Sequence, residues 1–267
     1  MCGRGVGGRD PRLSLQRFGR GRDVTRDIAV LGGAGGIGRA LVAALIAQGD
    51  RVAVLDLPAS LARHPQPCAE IPVDATSEAS VAEAMAAVAA LWPGGMHGFV
   101  NLAGWNSEIR PVSDTPADYF DGVIEGNLRS AFLAARAASP RMAEGGAMVL
   151  TSSGLGAFIR PGFGPYAMAK AGVIALTKTL ALELAPRVRV NAVGPAVVDT
   201  AFIRGGTGRS DETQADAVDL SRHRAMTPLG RVAVPADIVG PMKFLLSEDA
   251  AFMTGQVLWV NGGAYMP

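Results

Sequence analysis

The feature that most constrains what this chain can fold into is Ile28-Ala-Val-Leu-Gly-Gly-Ala-Gly-Gly-Ile-Gly38, an apolar run and a glycine cluster, followed by a helical pattern through Gln48. A strand that ends in glycines and passes straight into a helix allows a ligand close to the backbone and points a helix N-terminus at it. That order makes a dinucleotide-binding unit, with Gly32, Gly36, Ile37 and Gly38 placed around a pyrophosphate. Arg51-Val-Ala-Val-Leu-Asp56 reads as the next strand, and Asp56 ends it 18 residues after Gly38. A carboxylate there accepts hydrogen bonds from the adenosine ribose; elsewhere an aspartate ending a strand is an ordinary turn residue.

The rest of the chain repeats the alternation. Strands are predicted near 27–32, 51–56, 68–73, 97–102, 146–152, 188–193 and 256–260, and helices near 36–48, 77–91, 115–138, 164–185 and 234–247. Apolar strands alternating with Ala-rich helices predict an α/β fold, a Rossmann-type doubly wound parallel sheet of about seven strands with helices on both faces. With 49% hydrophobic and 18% charged residues, positions 27–267 can bury one large core as a single domain. Residues 1–26 differ: seven arginines and two aspartates give them +5 in a chain whose formal total is +1. Without apolar periodicity they read as a disordered Arg/Gly-rich extension rather than a nucleic-acid arm. Cys2 and Cys68 provide neither a disulfide framework nor a metal-ligand spacing. No apolar stretch is long enough for a membrane span and no signal-peptide pattern is present, so the expectation is a cytoplasmic protein with no membrane or nucleic-acid partner.

Tyr166 and Lys170 stand four residues apart in a helical segment, with Ser153 thirteen residues before the tyrosine. Residues i and i+4 share a helix face, so an ammonium can sit beside the phenol. To act as a base near neutral pH, the phenol must ionise about 4 kcal/mol more easily than a free one. An ammonium at ~4 Å and an effective dielectric of ~20 supplies about 4 kcal/mol. The competing reading, a surface Tyr-Lys pair, is weakened by the chain holding only three tyrosines and three lysines.

From about Asp27 to its C-terminus the sequence resembles the short-chain dehydrogenase/reductase family. Gly32, Gly36 and Gly38 match its TGxxxGIG turn, Asp74 its adenine-contacting aspartate, and Asn101-Leu-Ala103-Gly104 its NNAG strand end. Asn127, Ser153, Tyr166 and Lys170 match its catalytic tetrad, and Pro195, Val198 and Thr200 lie in the segment that contacts the nicotinamide. The resemblance implies that Tyr166 is the general acid/base, that Ser153 positions the substrate oxygen, and that Lys170 lowers the Tyr166 pKa and binds the nicotinamide ribose. It also implies that Asn127 holds a relay water and that the protein is a homotetramer. Leu31 and Leu102 depart from the family's threonine and asparagine, and are read as one exchange of a polar tie for an apolar contact. Ala196 replaces a usual glycine.

Asp56 would repel a 2′-phosphate, which points to NAD, with no metal, and to interconversion of a small-molecule secondary alcohol and ketone. The alternatives are an NADP-dependent 3-oxoacyl-[acyl-carrier-protein] reductase and, in another class, a non-catalytic nucleotide-sensing protein. Trp105, Phe158 and Ile159 are expected to border the substrate, and residues 201–226 to form a mobile lid. Arg110, Arg160 and Arg204 are each weighed as a partner for a substrate carboxylate against the reading of a solvated arginine.

Overall fold

The computed structural model describes residues 25–105, 108–210 and 212–266. Its strands are β1 Asp27–Leu31, β2 Arg51–Asp56, β3 Ala69–Pro72, β4 Met96–Asn101, β5 Met142–Thr151, β6 Val188–Pro195 and β7 Val257–Val260. They form one sheet in the order β3-β2-β1-β4-β5-β6-β7, with every neighbouring pair parallel. β1 is buried along its whole length, as an apolar run must be at the centre of a sheet covered on both faces.

The helices are α1 Gly36–Ala47, α2 Pro58–Arg63, α3 Glu78–Leu91, α4 Ala117–Ile124, α5 Ser130–Ala138, α6 Gly164–Leu184, α7 Leu220–Met226 and α8 Pro235–Leu246. Successive side chains of a strand take opposite faces. Ala29 and Leu31 of β1 therefore join one apolar cluster, with Met85 of α3, Leu133 of α5 and Val173 of α6. Ile28 and Val30 join another, with Leu41 of α1 and Ile238 of α8. This is the doubly wound architecture expected from the sequence. Strand order reverses between β1 and β4, and the crevice beyond their C-terminal ends is where such sheets take ligands.

Three local expectations change. The single helix predicted over 115–138 is α4 and α5 joined by a π-helical turn at Glu125–Arg129. β5 starts at Met142, four residues before the predicted strand. The short helices α2 and α7 carried too little apolar periodicity to be anticipated. The expectation for the N-terminal extension falls on residues 1–24, outside the described residues. Arg26, assigned to that extension, instead holds Asp50 through paired bonds of 2.9 and 2.6 Å and donates to the Leu246 carbonyl at 2.8 Å.

The expected Leu31–Leu102 contact is also replaced. Leu31 lies opposite Asn101 in the β1–β4 register, so Leu102, one residue later, takes the other face. Leu31 packs in the first cluster and Leu102 against the second. What links them is backbone: the Leu102 N–H donates to the Leu31 carbonyl at 2.8 Å. Leu31 is only 2% exposed, so Leu31→Thr should cost about 2 kcal/mol through lost apolar contact and a buried hydroxyl. Chemical denaturation checks this, and an unchanged or raised midpoint would contradict it.

Candidate active site

The glycine turn is built for close approach. Gly32 adopts φ +80°, a left-handed conformation that glycine takes without strain. A Cβ at Gly38 would collide with the Gly32 carbonyl oxygen, and one at Gly36 would sit 2.7 Å from the Thr200 methyl. α1 begins at Gly36 with no side-chain cap and no acidic residue in its first turn, so its free N–H groups and positive dipole end face outward toward an anion. Asp56 closes the far side of the turn. It accepts the Ala34 N–H at 2.9 Å and the Leu57 N–H at 2.8 Å, while Arg39 ties down the same loop by donating to the Ala34 carbonyl at 2.6 Å. Burial pushes the Asp56 carboxyl up, and those two N–H groups, Ser60 and Arg39 act against the rise. These features fit a dinucleotide: a tight glycine cradle, an uncapped helix N-terminus, and a carboxylate at the end of β2.

A cavity of about 840 Å³ contains this turn and the expected chemistry. Gly32, Gly36, Ile37, Gly38, Asp56, Asp74, Ala103, Gly104, Ser153, Tyr166, Lys170, Pro195, Val198 and Thr200 all line it. Asn101 and Asn127 instead act from behind the wall. Asn101 turns the chain at the end of β4 by accepting the Ala103 N–H at 2.9 Å. Asp74 makes a turn of its own, accepting from the Thr76 N–H at 2.9 Å and hydroxyl at 2.7 Å.

Tyr166 and Lys170 occupy the first two turns of α6, which starts with Pro165 in a position where a missing N–H does no harm. Their side chains meet as the spacing requires, with Lys170 Nζ 5.5 Å from the Tyr166 ring centroid. Nζ donates to the Thr151 carbonyl at 3.2 Å. Ser153, just past β5, lines the same cavity, and its hydroxyl favours the ionised Tyr166 phenol. Both titratable groups are shut away from water, at 6% and 3% exposure. Burial therefore governs them: it drives the phenol well above its usual value, with Ser153 opposing, and it pushes the Lys170 ammonium down to about 8. What governs the phenol here is desolvation, opposed by Ser153, and not the expected lowering by Lys170.

Asn127 explains the π turn. Its amide nitrogen donates to the Val123 carbonyl, four residues back, and to the Trp105 carbonyl, both at 3.1 Å, while its oxygen accepts the Trp105 N–H at 3.3 Å. It thus takes over a backbone acceptor in its own helix and pins the loop after β4. The Trp105 indole lies across Gly126, where a Cβ would collide with it. A Cβ at Gly104 would meet Asn127 Oδ1 at 2.7 Å and Lys170 Nζ at 3.4 Å, so the two side chains converge on one bare stretch of backbone. The sequence reading gave Asn127 a relay water, and nothing in the sequence marked its hold on Trp105.

Beyond Ser153 the cavity wall is aromatic. Phe158 and Tyr265 form it, with ring centroids 4.2 Å apart, and Trp259, outside the lining, packs against Tyr265 at 5.6 Å. Nothing in the sequence marked Tyr265, because its place depends on the C-terminal loop folding back across Gly154. Trp105 lines the cavity as expected, whereas Ile159 is exposed.

A family model described as enoyl-(acyl carrier protein) reductase matches residues 32–265. An uncharacterized short-chain type dehydrogenase/reductase of Sinorhizobium fredii is 36% identical over 244 residues, which are 89% of this chain and 43% of that longer protein. The 4-formylbenzenesulfonate dehydrogenase of Comamonas testosteroni is 35% identical over 254 residues, covering 90% of this chain and 98% of the relative. Among solved structures, a short-chain type dehydrogenase/reductase from Mycobacterium ulcerans superimposes with a TM-score of 0.79 at 30% identity, over 90% of this chain and 89% of that one.

Proposed function

Because the chain belongs to the short-chain dehydrogenase/reductase family, and is thus a nicotinamide-dependent oxidoreductase acting on CH–OH groups, we propose that it is an NAD-dependent dehydrogenase of secondary alcohols with Tyr166 as general acid/base. The observation that carries this reading is the convergence of Ser153, Tyr166 and Lys170 in the cavity that holds the glycine turn. A non-catalytic nucleotide sensor would have no use for a buried lysine and phenol held in that geometry.

The cofactor would lie with its pyrophosphate over Gly36, Ile37 and Gly38, its ribose at Asp56 and its adenine beside Asp74. When bound, its nicotinamide accepts hydride from the alcohol carbon or returns it to the ketone. Ser153 donates a hydrogen bond to the substrate oxygen and holds it near the Tyr166 hydroxyl, a fixed dipole aimed at the charge that develops there. In reduction Tyr166 gives its proton to that oxygen, and its raised pKa keeps the phenol protonated and ready. In oxidation Tyr166 must accept the proton as a phenolate, which the Lys170 ammonium and the Ser153 hydroxyl stabilise. Asn127 serves as the positioning residue that keeps Trp105 and Gly104 over Lys170.

NAD is favoured by Asp56, a carboxylate fixed by two backbone hydrogen bonds at the end of β2 that would repel a 2′-phosphate. Wild-type kcat/KM should favour NAD over NADP by on the order of ten- to a hundred-fold, and Asp56→Ala should erase most of that ratio. An NADP preference in the wild type would sink the NAD assignment, and would identify Arg39, whose charge already acts on Asp56, as the phosphate partner. We also propose a homotetrameric, cytoplasmic enzyme. Among the described residues no helix is long and apolar enough to cross a membrane, and exposed apolar side chains on α5 and α6, Phe132, Met168 and Leu182, suit subunit contact.

A further inference from the structure

Of the three arginines the sequence offered as anion partners, the structure separates one. Arg110 pairs with Glu108 and stacks on Tyr119, 5.0 Å from its ring centroid. Arg204 is held between Asp199 and Asp216 at 2.6 and 2.8 Å. Neither lines the cavity. Arg160 does, half-buried, and has no carboxylate partner among the described residues. Arg222 of α7, itself exposed, also lines it, with no ion pair among the described residues. His223 lines the cavity with them; burial, with the charges of Arg160 and Arg222, holds it below its usual value, and Asp219 acts the other way. Asp219, which also lines the cavity, caps α7 by accepting the Arg222 N–H at 3.0 Å and the Ser221 hydroxyl at 2.7 Å, and its charge acts on Arg222 as well.

This cluster belongs to the substrate end of the cavity and not to the pyrophosphate. Arg160 follows Ser153 by seven residues, past Phe158 of the aromatic wall. The C-terminal loop packs beneath the end of α7, where a Cβ at Gly262 would meet the Thr227 methyl at 2.7 Å. The glycine turn, by contrast, faces Thr200 and Leu102. Arg160, facing the cavity with no carboxylate paired to it among the described residues, beside flat apolar walls, describes a site for a ligand that brings both parts.

Resting on the dehydrogenase reading, we propose that the substrate has an aromatic or similarly flat apolar body and an anionic group remote from the carbinol, the anion being held by Arg160 with Arg222. A guanidinium engages a carboxylate or sulfonate through two parallel N–H donors, a geometry lysine lacks.

The test uses the wild-type protein with bound NAD, which cannot react with a ketone, and measures by calorimetry the binding of 4-acetylbenzoate and of 4-nitroacetophenone, its neutral isostere. The carboxylate should bind roughly ten-fold tighter or better. That advantage should fall to near parity in Arg160→Ala and be partly kept in Arg160→Lys, with Arg222→Ala giving a smaller loss. Equal or absent binding of the two ketones, or an advantage that survives both alanine variants, overturns the proposal. So does loss of NAD binding in Arg160→Ala, which would put the arginine on the cofactor. NAD reduction with 4-(1-hydroxyethyl)benzoate separates the two readings. Selective binding without turnover would sink the dehydrogenase and leave the anion site standing. Turnover of neutral and anionic alcohols alike would do the reverse.

Discussion

Tyr166→Phe is expected to lower turnover by roughly 10²–10⁴-fold, the usual contribution of a positioned proton donor or acceptor. The substitution removes one oxygen from a ring that is 6% exposed and leaves the α6 backbone and the glycine turn untouched. NADH affinity should therefore stay within a factor of about three, measured by the fluorescence of the bound nucleotide. A loss confined to kcat marks a group that acts on the reacting atoms; a matching loss of NADH affinity would mean that the phenol chiefly shapes the cofactor site. Retained turnover would remove Tyr166 from the proton chemistry altogether.

Lys170→Met should make the protein more stable and inactive at once. Folding carries a buried ammonium whose pKa is pushed from 10.5 down to about 8, a cost of about 3 kcal/mol while the lysine is protonated in both folded and unfolded states. That condition holds below pH 8. Between about 8 and 10.5 the folded state sheds its proton first, so wild-type stability gains on the variant as pH rises, and above that range the cost is gone. The variant's melting temperature should exceed the wild type's by several degrees at pH 7, at roughly 2–4 °C per kcal/mol, with the gap closing toward pH 10. Turnover should be lost, because nothing remains to stabilise the phenolate. A variant less stable than wild type at pH 7 would show that the Nζ bond to the Thr151 carbonyl at 3.2 Å outweighs desolvation. The lysine would then be a structural residue.

Much of this protein is legible in the chain itself, and the readable parts share a cause. The turn at Gly32 needs a left-handed φ and Gly38 must let backbone pass, which are local demands met by residue type. The i, i+4 spacing of Tyr166 and Lys170 sets a helix face before any tertiary contact exists. The alternation of β1 into two clusters follows from a pleat of period two, and that same rule, applied to the β1–β4 register, separates Leu31 from the Leu102 it was expected to touch. Sequence placed both residues at neighbouring strand ends; it did not hold the register that decides their faces.

What the sequence alone determined is therefore the strand–turn–helix frame, the chemical inventory of the cavity and the order in which its residues enter it. Tertiary structure alone decided which way those groups are biased. Burial, not the neighbouring ammonium, governs the Tyr166 phenol, since desolvation depends on everything packed around a group and not on its spacing. Asn127 became an anchor for Trp105 only once the π turn met the loop after β4. Arg110, Arg160 and Arg204 are indistinguishable as letters, and only the fold gives two of them carboxylates and leaves Arg160 facing the cavity, because an ion pair is a matter of distance in space.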